Sequence, residues 1–293
     1  MASNSAQPLA GISVLLLALN VPGPVAAQRL KALGATVVKI EGPGGDPLAT
    51  MVPSWYAELC THFDVQTIDL KTESGHAHIN TLLANADVLI TSFRPSSLER
   101  LQLGAEQVAL RYPRLCQVAI VGNSSPNADV AGHDLTYQAT AGLLTPPGMP
   151  VTLLADLFGA ERAASAAMTL MYRRSLGETD LLAEVSLEHS VQALTAPIRH
   201  RATAPDGPLS GVNPLYRLYK AKTGWIALAA LEPHFIVRLR DAFAEQIANS
   251  KTDFPDAEML QQTFALRPAA EWEAWGIEHD IPIVMVRSAA TLS

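Results

Sequence analysis

The sequence contains little cysteine, few charged residues and few aromatic residues. Cys60 and Cys116 are its only cysteines, which excludes a disulfide framework and fits a reducing compartment. Charged residues make up 17% of the chain and hydrophobic residues 48%, a balance typical of a globular enzyme and unlike that of a disordered protein. The net charge of −7 disfavours broad electrostatic attraction to polyanions, so we expect no nucleic-acid partner.

Several common motifs are also absent. No G-x-G-x-x-G follows the first apolar run and there is no P-loop, which excludes an ordinary dinucleotide or ATP site. No serine lies in a G-x-S-x-G motif. The nearest approach to a metal cluster is His62 with His76 and His78, but this spacing lacks a convincing third ligand. We therefore predict no metal.

The N-terminal region does not have the pattern of a targeting segment. The apolar run from Ile12 to Val21 has no basic residue before it, and Arg29 is the first basic residue of the chain. A secretory signal begins with a positive region, so we expect none here. The run is also too short to span a bilayer and is more typical of a buried strand. We expect a cytoplasmic protein with no membrane partner.

The first two-thirds of the sequence alternates strand and helix patterns. Strands are predicted at Ile12–Leu19, Val37–Ile40, Thr67–Leu70, Val88–Thr91 and Leu115–Val121. Helices are predicted at Val25–Leu33, Gly75–Ala86, Ala105–Tyr112 and Leu157–Arg174, with a turn at Pro22-Gly23-Pro24. This alternation predicts an α/β fold with a doubly wound, Rossmann-like parallel sheet. Ligands bind such sheets at the carboxyl ends of the strands.

A second, smaller α+β domain is predicted after a linker rich in proline and glycine. Tyr216–Lys220 and Trp225–Leu231 have strand patterns on either side of Ala221-Lys222-Thr223-Gly224, which predicts a hairpin. Two helices and a last strand follow at Pro233–Phe243, Ala269–His279 and Ile281–Val286. We place the large domain at residues 1–196, and the linker and small domain at residues 197–293.

Two side chains are the best candidates for chemistry. His133 lies in Gly132-His133-Asp134, and Asp156 precedes the Ala-rich helix predicted from Leu157. An imidazole and a carboxylate that face one pocket can move a proton to and from the two sides of a carbon. The aspartate alone can instead attack an activated acyl group. A purely structural role is the alternative, because aspartate is a preferred N-cap residue and a histidine before an apolar helix is often structural.

These residues belong to a wider pattern that resembles CoA-transferase family III, the CaiB/BaiF group. The similarity begins at Leu9–Leu15, Pro22-Gly23-Pro24 and Leu33–Glu41. It continues in the same order through Asp69-Leu70-Lys71, Ala86–Ile90, Phe93-Arg94-Pro95, Leu98–Leu101, Gly132-His133-Asp134 and Ala155-Asp156-Leu157. Together the segments extend from Leu9 to Leu157.

The resemblance implies acyl-CoA substrates, with coenzyme A as part of the substrate, and a catalytic Asp156. In the family's transferases this aspartate attacks the acyl-CoA carbonyl, giving a mixed anhydride and then an aspartyl-CoA thioester. In its 2-methylacyl-CoA racemase branch, a His–Asp pair moves the α-proton through an enolate. Gly132-His133-Asp134 is similar to the racemase branch, as is Leu231–Phe235, whose Glu232 would support His133 together with Asp134. We predict racemase or epimerase chemistry, with a CoA transferase and a non-catalytic acyl-CoA-binding relative as alternatives.

The resemblance also predicts how CoA is bound and how the chain assembles. Lys39, Lys71, Arg94, Arg100 and Tyr137 are expected to contact CoA, and amides at the start of the Leu157 helix to stabilise an enolate oxygen. A homodimer, interlocked as in the family, is expected. Two features depart from the family: Leu59–Gln66 replaces a basic stretch, and Glu184 replaces an aspartate. We also expect that the family's C-terminal return segment is missing, because the chain stops at Ser293.

Overall fold

The protein consists of two compact units. A computed structural model describes residues 7–248 and 255–288, so the C-terminus at Ser293 lies outside the described residues. The units comprise Met1–Thr195 and Ala196–Ser293. Within the described residues, no helix is both long enough and apolar enough to cross a membrane.

The first unit contains a parallel sheet with six strands in its described part. The strands are β1 (Ser13–Leu17), β2 (Thr36–Glu41), β3 (Asp64–Thr67), β4 (Val88–Thr91), β5 (Cys116–Val121) and β6 (Leu182–Ser186). Their spatial order is β3-β2-β1-β4-β5-β6, and every pairing is parallel. The order reverses between β1 and β4, and the crevice at such a reversal is where open α/β sheets bind ligands.

Helices cover both faces of this sheet. They are α1 (Pro22–Ala32), α2 (Pro47–Met51), α3 (Pro53–Leu59), α4 (Glu73–Asn85), α5 (Pro95–Arg100), α6 (Ala105–Arg111), α7 (Asp134–Thr140), α8 (Leu154–Ser175) and α9 (Leu187–Ala193). Side chains of β1 alternate between two buried clusters: Val14 and Leu16 pack with α1 and α8, while Leu15 and Leu17 pack with α4 and α6. Burial on both faces explains why the central strands are continuous apolar runs in the sequence.

The second unit is a small α+β domain. Its strands are β7 (Tyr216–Lys220), β8 (Trp225–Ala229) and β9 (Ile283–Met285), joined in the antiparallel order β7-β8-β9. Its helices are α10 (Ala196–Arg199), α11 (Pro233–Ala242), α12 (Ala244–Ala248), α13 (Ala257–Phe264) and α14 (Ala269–His279). Lys220 pairs with Trp225 across the predicted hairpin. The predicted fold class, a Rossmann-like parallel sheet with a smaller α+β domain, is confirmed.

Three predicted local features were wrong. The third strand runs over Asp64–Thr67 instead of Thr67–Leu70, because the Asp69 carboxylate accepts the Lys71 N–H and turns the chain there. As a poorly buried edge strand, β3 also lacks the apolar pattern on which the prediction depended. Pro22-Gly23-Pro24 forms the first turn of α1, where proline loses no intrahelical hydrogen bond.

The start of the long helix was the third error. Helix α8 begins at Leu154, with Leu153 as its N-cap residue, so Asp156 lies inside the first turn instead of capping it. The cap is supplied from elsewhere in the chain, as described below. Asp156 is therefore not needed to satisfy the first backbone N–H groups of the helix, which was the structural alternative for this residue.

Candidate active site

A cavity of about 230 Å³ lies at the reversal point of the parallel sheet. Its walls come from the segments that follow β1, β4 and β5, and from the first turns of α7 and α8. The lining residues that carry polar side chains are Asn20, Ser92, Arg94, His133, Tyr137 and Asp156. The predicted pair of His133 and Asp156 therefore meets in one cavity, at the sheet edge where a ligand was expected.

Asp156 is the most strongly perturbed acid in this cavity. Burial raises the pKa of its carboxyl group to about 7, and the negative charge of Asp134 adds to the effect. A carboxyl group with this pKa is present in both protonation states near neutral pH. It is therefore able both to accept a proton and to return one, which is what acid–base catalysis requires.

Asp134 is buried and anchors the start of α8. Its Oδ1 accepts hydrogen bonds from the backbone N–H groups of Ala155, at 2.7 Å, and Asp156, at 3.1 Å. Its Oδ2 accepts a hydrogen bond from Gln138 Nε2 at 2.5 Å. Asp134 is thus the missing cap of α8, which differs from the predicted role of orienting His133.

The same hydrogen bonds correct the expected role of the α8 amides. The N–H groups of Ala155 and Asp156 donate to Asp134, and the Leu157 N–H donates to the Leu153 carbonyl. These donors are already engaged, so they are not open to a substrate oxygen.

His133 is the N-cap residue of α7. Its backbone is extended, with φ of −143°, and its N–H donates to Thr136 Oγ1 at 3.0 Å. The Thr136 hydroxyl donates in turn to the His133 carbonyl at 2.7 Å. This local arrangement fixes the backbone of His133, while its side chain is exposed at the wall of the cavity.

Tyr137 is buried one turn beyond His133 and lines the cavity. Its hydroxyl fits against Gly122 and Gly132, where any side chain would collide with it. Burial raises the pKa of the phenol, as do the charges of Asp156 and Glu188. The hydroxyl therefore stays protonated, and it has no hydrogen-bond partner within residues 7–248 and 255–288. Tyr137 is an available donor in the cavity.

The assignment of Lys39 to a CoA phosphate was wrong. Its side chain is completely buried and forms ion pairs with Glu41 and with Asp46, the latter at 2.9 Å. Its ammonium group also lies 5.2 Å from the centre of the Tyr56 ring. The charge is thus neutralised inside the protein, and it is not accessible to a ligand.

The other predicted cations lie in different places. Arg94, the N-cap residue of α5, is exposed and lines the cavity. Lys71 and Arg100 are exposed but do not line it, and Arg100 Nη2 donates to Ser97 Oγ at 2.9 Å. Glu232 is the exposed N-cap residue of α11, in the second unit. Its proposed support of His133 stays a prediction.

Two of the lining residues were missed by sequence reasoning. Asn20 lies three residues after the end of β1, and Ser92 directly follows β4; these are the two strands that flank the reversal point. Their positions after these strands were the available signal, because loops at this edge form the site in doubly wound sheets. Among the described residues, no group of three or more histidine, cysteine or acidic side chains is arranged to hold a metal ion, and His62, His76 and His78 form no such group.

The fold and the site define an α/β enzyme with acid–base groups at the carboxyl ends of a parallel sheet. The sequence model described as CoA-transferase family III matches residues 9–292. The chain therefore belongs to CoA-transferase family III, whose members act on acyl-CoA thioesters.

Relatives with both kinds of activity are similar to this chain. The alpha-methylacyl-CoA racemase of Homo sapiens is 29% identical over 288 residues, which cover 90% of this chain and 74% of the racemase. The cinnamoyl-CoA:phenyllactate CoA-transferase of Clostridium sporogenes is 26% identical over 328 residues, which cover 97% of this chain and 79% of the transferase. A crystal structure of a hypothetical protein from Mycobacterium tuberculosis has the same fold, with a TM-score of 0.83 and 24% identity. The match covers 99% of this chain and 87% of that protein.

Proposed function

We propose that this protein is an acyl-CoA racemase or epimerase that transfers the α-proton of a 2-methylacyl-CoA thioester. The observation that carries the proposal is the meeting of His133 and Asp156 in one cavity. In this mechanism one of the two groups removes the α-proton from one face of the substrate. The other group returns a proton to the opposite face, and the intermediate is the enolate of the thioester.

The electrostatics of the cavity support this chemistry. A general acid–base group works best when its pKa is close to the working pH, and the pKa of Asp156 is about 7. The enolate places negative charge on the thioester oxygen, which then needs a hydrogen-bond donor. We assign this role to the Tyr137 hydroxyl, because the nearby α8 amides are occupied by Asp134.

CoA would enter past Arg94. This guanidinium lines the cavity and forms no ion pair within the described part of the chain, so it is free to contact a phosphate. Lys71 and Arg100 are exposed and stay predicted contacts for the more distant phosphates. Lys39 is removed from this set because it is buried in its own ion pairs.

CoA transfer through Asp156 is the second candidate, and the similarity to a CoA-transferase supports it. The Asp156 carboxylate would attack the acyl-CoA carbonyl and release CoA thiolate, leaving a mixed anhydride. The thiolate would then attack the aspartyl carbonyl of the anhydride, releasing the first acid and leaving an aspartyl-CoA thioester. An acceptor carboxylate would reverse these steps and leave as the new acyl-CoA.

Hydrogen exchange distinguishes the proposals. The wild-type protein is incubated in D₂O with (2R)- or (2S)-2-methylbutanoyl-CoA, with no free acid present. Incorporation of deuterium at C2 supports the racemase. If deuterium is not incorporated and CoA moves only after a carboxylic acid is added, the protein is a transferase. If neither reaction occurs but the thioester binds in calorimetry, the protein is a non-catalytic acyl-CoA-binding relative.

The proposed assembly is the homodimer implied by the family resemblance. Light scattering at micromolar concentration measures it directly. A mass near 31.3 kDa, that of one chain, would exclude the dimer under those conditions.

A further inference from the structure

Asn20 has an uncommon backbone conformation at the wall of the active-site cavity. Its φ is +63°, in the left-handed region, and it lies in the connection between β1 and α1. Non-glycine residues in this region are uncommon, and asparagine is one of the few types that tolerate it. Such backbone strain persists only where the surroundings impose it, and it concentrates at functional sites.

A buried ionic cluster holds Asn20 in this conformation. Asp46 accepts the Asn20 N–H with both carboxylate oxygens, at 3.0 and 3.2 Å. The fully buried Lys39 neutralises Asp46 and also pairs with Glu41. Burying charged groups costs free energy that their pairing has to offset. This cluster nevertheless lies directly beside the backbone turn at Asn20. The turn is therefore fixed before a ligand arrives.

The side chain of Asn20 is left unused by the fold. Its backbone N–H is bound to Asp46, but its carboxamide has no hydrogen-bond partner in residues 7–248 and 255–288. The neighbouring Ser92 Oγ accepts the Leu19 N–H at 3.2 Å, which leaves the serine hydroxyl proton free to donate. The cavity wall thus carries the neutral Asn20 carboxamide, which can both donate and accept hydrogen bonds, and the Ser92 hydroxyl, which can donate one.

We infer that Asn20, together with Ser92, selects acyl-CoA thioesters whose acyl chain carries a hydroxyl group close to the thioester. This inference rests on the proposed function, because it places the acyl chain in the cavity that holds His133 and Asp156. A hydroxyl group both donates and accepts hydrogen bonds, which matches a carboxamide beside a serine hydroxyl. A carboxylate substituent would instead need a cation, and Arg94, already assigned to CoA, is the only permanently charged cation among the described lining residues.

The experiment compares two thioesters and two variants. The affinities of 3-hydroxy-2-methylbutanoyl-CoA and 2-methylbutanoyl-CoA are measured by calorimetry for the wild type, Asn20→Gly and Gln102→Gly. Asn20→Gly removes the carboxamide but accepts a positive φ without strain, and it keeps the N–H that binds Asp46. Gln102 is the matched control, since it also has a positive φ, of 56°, but is exposed and does not line the cavity.

We expect the wild type and Gln102→Gly to prefer the hydroxylated thioester by at least about fivefold, and Asn20→Gly to lose that preference. Equal wild-type affinities for the two thioesters would overturn the inference but leave the proposed function in place. A preference that survives in Asn20→Gly would also overturn it. If the wild type binds neither thioester, both the inference and the proposed function fail.

Discussion

The Asp134 carboxylate accepts the backbone N–H of Asp156 at 3.1 Å. This hydrogen bond connects the two segments that carry the candidate catalytic groups, since Asp134 follows His133 directly in the chain. One residue therefore fixes the start of α8 and connects two walls of the cavity. Its negative charge also adds to the effect of burial, which is the main cause of the raised pKa of Asp156. In the proposed reaction Asp134 would act through Asp156, as a positioning residue.

Asp134→Asn tests this role through the pH profile. The variant keeps an oxygen for the α8 amides but removes the negative charge that helps to raise the pKa of Asp156. For the enantiomer whose α-proton faces Asp156, initial deuterium exchange should increase with pH through about 7 in the wild type. In the variant this midpoint should lie at lower pH. Asp134→Ala should also lose about 1–2 kcal/mol of stability, because the cap is removed. An unchanged midpoint in folded Asp134→Asn would remove Asp134 from this role.

Asp156→Asn should change how stability depends on pH. The carboxyl group has an ordinary pKa near 3.8 in the unfolded chain and about 7 in the folded protein. Between these values the folded state holds a proton that the unfolded state has lost, so the free energy of unfolding falls as pH rises. Asp156→Asn has no carboxyl group at this position, so its free energy of unfolding does not fall in this way. It should be more stable than the wild type at pH 8 by about 1–3 kcal/mol. Urea unfolding at pH 4 and pH 8 measures the difference, which should be small at pH 4. If the difference in unfolding free energy between Asp156→Asn and the wild type is the same at pH 4 and pH 8, the pKa of Asp156 is not raised in the folded protein.

His133→Ala separates the two reaction types. In a racemase it should slow α-proton exchange by about 10²–10⁴-fold, the usual contribution of a positioned acid–base group. In a transferase it should leave CoA transfer largely intact, whereas Asp156→Ala should abolish transfer. Hydroxylamine trapping of an acyl-enzyme provides an independent test for the nucleophilic route. Full exchange activity in folded His133→Ala would exclude the two-group proton transfer.

Lys39→Met should destabilise the protein because it leaves the Glu41 and Asp46 carboxylates buried without their cation. Removal of one partner from a buried ion pair costs about 3–5 kcal/mol. Lys71→Met is the matched control, since Lys71 is exposed and its loss should change stability by less than about 0.5 kcal/mol. Urea unfolding of both variants gives the comparison. Similar stabilities for the two variants would show that Lys39 is not held in this cluster.

The Tyr137 hydroxyl lies in a slot between Gly122 and Gly132. This arrangement predicts that removing the hydroxyl restores stability to an alanine variant of one glycine and not of the other. A methyl group at Gly122 would collide with the hydroxyl oxygen and lie 3.1 Å from Cζ, whereas one at Gly132 would lie 2.6 Å from both Cε1 and Cζ. Each alanine substitution should destabilise the protein by about 1–3 kcal/mol. Tyr137→Phe should recover most of the loss in Gly122→Ala but little in Gly132→Ala, because the ring carbons remain. A double-mutant cycle on unfolding free energies measures the coupling. Equal rescue at both glycines would contradict the described slot.

The sequence predicted those elements whose signals are local and apolar. Val88–Thr91 and Ala269–His279 have the predicted bounds, because a doubly buried strand and a helix with clear ends carry their own patterns. Lys39 was misassigned since nothing in its local pattern shows that Asp46, seven residues later, turns back to meet it. The cap supplied by Asp134 to a helix 20 residues further on was equally invisible to local reasoning.

The sequence predicted the reacting groups of the candidate site better than it predicted the other residues that line the cavity. His133 and Asp156 were found from residue type and family resemblance, and both line the cavity. The conformation of Asn20 depends on contacts to Asp46 and could not be inferred from residue type. Tyr137 was expected near CoA, but its contact with Gly122 and Gly132, at the two ends of the loop between β5 and α7, depends on how that loop folds back and has no local signal.

The division of the cavity wall among separate segments has an evolutionary consequence. Asn20 and Ser92 follow two strands of the sheet, whereas His133 and Asp156 begin two helices. Replacing a residue after β1 or β4 leaves the buried strands and the reacting groups where they are. If Asn20 and Ser92 select the acyl chain as inferred above, substrate choice can change between descendants of one ancestor while the reacting groups and the scaffold are inherited unchanged.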